Sequence, residues 1–223
     1  MGQGMDLCLG DPQAAATPED CLEAEFVACL VRQAGLVVLG VKPAAVFSFT
    51  PRARTTSFEP SRLRSLSARL VSVYARLAEP LGLSLACLER RARGLMLLAW
   101  RPSRVAALLD DPEARAFLAE RALPADDADA LMSELTCRLR AFYARRGPFP
   151  HELGLVLGYP VRDVRGFLAD GGRGAVACGR WQVYGDAAEA QRRFDELDRL
   201  EARCKRLYSE GASMGELLRM GAA

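Results

Sequence analysis

Three side chains in this sequence have types suited to acid–base or nucleophilic chemistry: Lys42, His151 and Cys178. His151 is the one histidine of the chain and follows Pro150 at an expected helix start. The positive end of a helix dipole disfavours a charged imidazolium there, and Glu152 opposes that effect, so the imidazole suits a general base or a metal ligand. A histidine beside apolar segments also commonly does no more than satisfy a buried partner. Cys178 opens "CGRWQVYGD"; read as a strand, this stretch alternates Cys178, Arg180, Gln182 and Tyr184 on one face with Trp181 and Val183 on the other. A thiol next to His151 would be an activated nucleophile or a soft ligand, whereas a lone thiol is usually a small buried hydrophobe.

Lys42 stands out against its background. The chain has 28 arginines and two lysines, and neither isoleucine nor asparagine, which marks a GC-rich coding bias. A lysine retained against that bias points to a need for a compact ammonium or a depressed pKa, as in anion binding or imine formation, with chance on a solvated loop as the plain alternative. With a single histidine, no multi-histidine metal site exists within one protomer, so no metal residues are assigned and the cofactor is left unidentified. The chain lacks a phosphate-binding glycine loop, a G-x-S-x-G elbow and an H-E-x-x-H zinc helix; the Gly-rich "DGGRGAVACG" reads as a turn.

His151 also begins a patterned stretch, "FPHELGLVLGYPVRDVRGFL". Gly154 would let two helices approach, Gly158 would take a left-handed turn, and Val164 and Phe167 would lock a second helix that begins at Pro160. This is helix-turn-helix spacing over residues 150–169. As a DNA reader it would offer Arg162, Asp163 and Arg165 to the major groove. The same spacing also describes a tight helical corner that touches no nucleic acid. Charge decides between them: 30 basic against 28 acidic residues leave a net +2, which disfavours a protein held by phosphate contacts.

These residues need elements to position them. Residues 1–16 read as a loose tail, and Thr17-Pro18-Glu19-Asp20 as the cap and first turn of a helix to about Arg32, with Leu22, Phe26, Cys29 and Leu30 inward. Residues 35–40 are short helix or strand, and Lys42-Pro43 breaks them before the strand-like "AVFSFT". Leu63, Leu66, Leu70, Val73 and Leu77 give an amphipathic helix from Pro60. "LSLACLE" and "LMLLAWR" flank "RRARG" as a hairpin. Helices follow at 103–109, 112–120 and about 126–145, and after the "GRWQVYG" strand a capped helix runs from Asp186 to about Tyr208.

The expected fold is α+β: a small, mostly antiparallel sheet of three to five strands packed with several helices. One domain is expected over 17–210, carrying its motif region at 147–185, with 211–223 as a tail or short helix. Half the residues are hydrophobic, enough for a core without disulfides or metal. Seven scattered cysteines without a C-x-x-C pair read as reduced thiols. No apolar run approaches a membrane span, so a cytoplasmic protein without a membrane partner is expected.

"VKPAAVFSF", "FPHELGLVLGYPVRDVRGFL" and "GRWQVYGD" followed by a charged helix together resemble domain-of-unknown-function family 3793, known largely from anaerobes. The resemblance spans roughly Leu22 to Leu207. It implies a shared fold and a shared ligand site around Lys42, His151, Tyr159, Trp181 and Tyr184, to which Glu152 is added as neighbour of the histidine. It brings no activity, and implies a setting in iron or redox physiology. The leading expectation is therefore a small-molecule or cofactor-binding protein. The alternatives are an enzyme with His151 as base and Cys178 or Lys42 as nucleophile, and a DNA-binding regulator using Arg162 and Arg165.

Overall fold

The computed structural model describes residues 17–51, 60–92 and 94–221; the expected tail at 1–16 lies outside them. Its chain order begins with α1 (Pro18–Val38), β1 (Ala44–Phe49) and α2 (Pro60–Ala78), then a 3₁₀ turn at Glu79–Leu81 and the hairpin β2 (Ser84–Arg91) and β3 (Gly94–Trp100). Next come α3 (Pro102–Leu109), α4 (Pro112–Glu120), α5 (Ala128–Tyr143), α6 (Leu153–Val156) and α7 (Val161–Asp170). A second, minimal hairpin, β4 (Ala177–Cys178) and β5 (Gln182–Val183), precedes α8 (Ala187–Ser209) and α9 (Met214–Met220).

The three long strands form an antiparallel sheet in the order β1-β3-β2. Why β3 is an unbroken apolar run follows from its position at the centre, covered on both faces. Leu95, Leu97 and Ala99 face one core layer with Phe47 and Phe49, against α1, α2 and α9. Leu98, with Met96 and Trp100 at its margin, faces the other, against α3 to α7. In β2 the register slips between Cys87 and Glu89, a bulge that leaves Leu88 unpaired and sends its side chain into the second layer.

Local chemistry sets the helix ends. The Thr17 hydroxyl accepts from the Asp20 N–H while the Asp20 carboxylate accepts from the Thr17 N–H, a reciprocal capping box. The helix it opens passes the expected end near Arg32 and continues to Val38 through a kink at Ala34, so residues 35–40 resolve as helix end and turn, not strand. In α2 the buried row is Ser67, Val71, Tyr74 and Ala78, rotated by about one position from the expected leucine stripe. Tyr74 sets that rotation: its ring packs edge-on against Phe26 and its hydroxyl donates to Glu23 at 2.8 Å, leaving Leu66 and Leu70 at the margin.

Arg101, just after β3, is 1% exposed, and no reading of the sequence anticipates its environment. Its guanidinium donates to the carbonyls of Val37 (2.9 Å) and Val38 at the end of α1, Leu81 (3.0 Å) at the 3₁₀ turn, and Leu218 (2.8 Å) in α9. Terminal helix carbonyls lack intrahelical donors and carry partial negative charge, so they supply both the hydrogen bonds and the countercharge for a cation buried without a carboxylate. One side chain thereby ties three separate chain segments beneath the sheet.

Candidate functional site

Residues 150–185 fold over the end of α1 and build the site. Gly158 turns the chain at φ +82°, a left-handed conformation that favours glycine, and lies against Pro43. Gly154 permits a close approach, since a Cβ there would sit 3.1 Å from Val164 and 3.2 Å from the Tyr159 ring. The expected corner forms, but its first helix is a single turn, Leu153–Val156, and Pro160 is the cap before α7 instead of its first residue.

The expected strand through "ACGRWQVYG" is instead the small β4/β5 hairpin, in which Cys178 pairs with Gln182 and the Gly179 N–H donates to the Trp181 carbonyl at 3.0 Å. The Gly179-Arg180 turn breaks the strand alternation. The hairpin sets Trp181 and Val183 into a third apolar cluster with Leu36, Phe194 and Leu197.

Asp163 fixes this arrangement. Its side chain is 3% exposed on α7; one carboxylate oxygen accepts the Trp181 indole N–H at 2.7 Å, and the other accepts the backbone N–H groups of Tyr184 (2.9 Å) and Gly185 (3.1 Å). The tryptophan ring is held between Tyr159, stacked at 5.2 Å, and Phe194, edge-on at 4.5 Å. Tyr184 completes the lock along the same face of α7, its ring packed over Gly166 and its hydroxyl donating to Asp170 at 2.7 Å.

The result is a mostly apolar cleft of about 400 Å³ walled by Phe149, His151, Leu157, Tyr159, Phe167 and Trp181. His151 is exposed at its mouth, between the rings of Phe149 (5.1 Å) and Phe167 (5.2 Å). Its polar features include Asp163, already committed to three N–H donors, and Gln182, whose side-chain oxygen is buried without a hydrogen-bond partner.

The sequence-derived site residues divide accordingly. His151, Tyr159 and Trp181 share the cleft. Lys42 lines a separate cavity of about 60 Å³ with Arg180 and Glu201, its ammonium 5.6 Å from the Tyr159 ring. Burial, reinforced by the nearby Arg180, lowers its pKa to about 8. His151 and Lys42 thus line different cavities, and the ring neighbours of His151 are the two phenylalanines. Cys178 is exposed on the small hairpin and lines neither cavity. Glu152 is buried away from the cleft, accepting from Arg121 Nε at 2.9 Å, where it borders a second groove that shares Phe149 and His151. Tyr184 is committed to Asp170.

The helix read as a DNA reader presents its basic residues already paired: Arg162 with Glu189 at 2.8 Å, and Arg165 with both oxygens of Glu120 at 2.7 and 2.9 Å. Asp163 is buried between them. Among the described residues no group of three or more His, Cys, Asp and Glu side chains could hold a metal ion, and no helix is long and apolar enough to cross a membrane.

Sequence reasoning offered Asp163 to the major groove with Arg162 and Arg165, put Gln182 on a face able to line a pocket, and passed over Phe149 and Phe167 as ring partners of His151. The signal that could have found them is the apolar-aromatic spacing of the corner, which brings both phenylalanines to the histidine. A family model described as a protein of unknown function, DUF3793, matches residues 30–218. No curated protein and no solved structure matches the chain.

Proposed function

From a chain that belongs to the DUF3793 family, whose function is unknown, we propose a function read from the site itself: binding of a small, planar, largely apolar molecule in the aromatic cleft. The observation that carries this reading is the cleft, a space of about 400 Å³ between Tyr159–Trp181 on one side and His151–Phe167 on the other. Its volume and apolar, aromatic lining are those of small-ligand sites, where a few polar groups fix orientation. Flat rings stack on such walls, each favourable pairing adding roughly 0.5–1.5 kcal/mol beyond area burial. The unpartnered Gln182 oxygen supplies the polar handle, favouring a ligand with an N–H or O–H donor.

The rigid support of the walls strengthens the reading. Asp163 holds Trp181 in place through the indole N–H, so the cleft stands preformed and a ligand need not order it. A cytoplasmic setting accords with the scattered thiols, and an accessory place in iron or redox metabolism is what the family resemblance suggests for the ligand. Direct metal storage finds no ligand cluster among the described residues. Catalysis by His151 with Lys42 would require groups that line separate cavities, and catalysis with Cys178 a thiol that lines neither.

Native mass spectrometry of the protein purified from its own source cells tests the proposal. The expected result is a noncovalent adduct with aromatic absorbance, lost in Leu157→Phe, which narrows the cleft while conserving apolar character. An adduct retained at full occupancy in that variant, or its absence in every preparation, would count against the reading.

A further inference from the structure

The small cavity beneath Tyr159 has a chemistry of its own. It is enclosed by Lys42, Arg180 and Glu201 and by the kinked stretch of α1 from Gln33 to Val37. An ammonium can donate three hydrogen bonds, yet among the described residues Lys42 Nζ makes no hydrogen bond or ion pair; its one close partner is the face of Tyr159. The cavity's carboxylate is already engaged, Glu201 accepting from Arg180 at 2.6 Å and from Lys205 at 2.5 Å. Arg180 and Arg193 add repulsion from the small hairpin and from α8, and only Glu201 opposes them. The result is an amine with a pKa of about 8, held next to a guanidinium, in a space whose carboxylate, Glu201, is already paired with Arg180 and Lys205.

Size restricts what can react there. A space of about 60 Å³ holds roughly two waters at about 30 Å³ each, too little for an aldehyde cofactor but enough for a triatomic electrophile. We propose that Lys42 is a carbon dioxide site, its amine forming a carbamate whose carboxylate occupies the cavity and pairs with Arg180. The neutral amine attacks the carbon of carbon dioxide and an N–C bond forms. One C=O π pair moves onto oxygen, and the nitrogen releases a proton to solvent, giving N-carboxylysine. No oxidant, reductant or metal is required. The modification turns an unpaired cation into an anion facing Arg180, and it explains why lysine stands at this position in a chain with 28 arginines, since a guanidinium does not remain neutral for this reaction.

The chain carries its own control, because its other lysine, Lys205, is exposed and ion-paired with Glu201. The protein is equilibrated with ¹³C-bicarbonate at pH 8, trapped by O-alkylation, digested and read by mass spectrometry. About half of Lys42 is neutral at that pH, against on the order of 1 in 250 for an ordinary exposed lysine, so at least about tenfold more label is expected on Lys42 than on Lys205. Arg180→Gln is expected to lower the Lys42 label severalfold. Equal labelling of the two lysines, or no label on Lys42, overturns the proposal. So does undiminished label in a folded Arg180→Gln protein. The comparison within the wild-type chain decides the matter even where that variant fails to fold.

Discussion

The indole N–H of Trp181 donates to the buried carboxylate of Asp163 at 2.7 Å, and through this contact α7 holds the wall of the cleft. The other carboxylate oxygen holds the Tyr184 and Gly185 N–H groups at the approach to α8. Asp163→Ala would leave three donors without their acceptor, the indole N–H buried and the two backbone N–H groups part-buried, and buried donors without partners cost about 1–3 kcal/mol each, with incomplete additivity. A loss of roughly 3 kcal/mol or more is expected in urea unfolding, with a red shift of Trp181 emission in the folded state. Asp163→Asn keeps one acceptor oxygen and should lose less. Wild-type stability in Asp163→Ala would show that the contact carries no such weight.

Arg101 makes a similar argument for the fold. Arg101→Met keeps the apolar stem but leaves the carbonyls of Val37, Leu81 and Leu218 without this donor. A destabilisation of roughly 3 kcal/mol or more is expected from thermal or urea unfolding. Arg101→Lys should recover only part, because an ammonium cannot reach three segments in the fork geometry of a guanidinium.

Lys42 gives a pH signature with a definite sign. Its pKa is about 8 in the folded protein and about 10.4 for a free lysine, so between those values the unfolded chain binds more protons and stability rises with pH. Well below pH 8 both states are protonated and the full cost of burying the charge applies, on the order of 3 kcal/mol. In carbon dioxide-free buffer, the stability gap between Lys42→Met and wild type should therefore narrow from pH 8 to 10. Use of the difference cancels the opposing effect of Tyr159, whose phenol is pushed up by burial. A gap independent of pH would contradict the buried ammonium.

The paired arginines of α7 lead to a negative expectation for nucleic acid. Arg162 and Arg165 would each have to surrender a carboxylate partner to meet phosphate. Duplex DNA at low salt should show no retention that Arg162→Ala with Arg165→Ala abolishes. A salt-dependent shift lost in that double variant would revive the DNA-binding reading.

Much of the fold could be read from local pattern. Thr17 and Asp186 announce helix starts, the apolar runs on either side of "RRARG" announce the β2/β3 hairpin, and Gly154 with Gly158 announces the corner. What local pattern could not supply was the partner of each polar group. Asp163 lies between two arginines in sequence and reads as part of a solvated face; only the arrival of a hairpin about twenty residues later buries it. Arg101 follows a strand like any surface arginine, and its acceptors lie as far away as Leu218. The small hairpin escaped because Cys178 to Tyr184 alternates convincingly, while the decision to turn rests with Gly179 and with Phe194, packed where a Cβ would stand. His151 was singled out by residue type, and Tyr159 and Trp181 by the family resemblance; that Lys42 lies behind Tyr159 and not in the same cleft depends on tertiary packing.

The proposed aromatic cleft meets its most direct test in the two indole N–H resonances of ¹⁵N-labelled protein, those of Trp100 and Trp181, during titration with a set of heteroaromatic fragments bearing a ring N–H. Trp181 lines the cleft, whereas Trp100, at the end of β3, does not. The account predicts saturable shifts of Trp181 together with the His151 ring protons, Trp100 unmoved, and loss of the effect in Leu157→Phe. Fragments that leave Trp181 unmoved throughout, or shift it equally in Leu157→Phe, would contradict it.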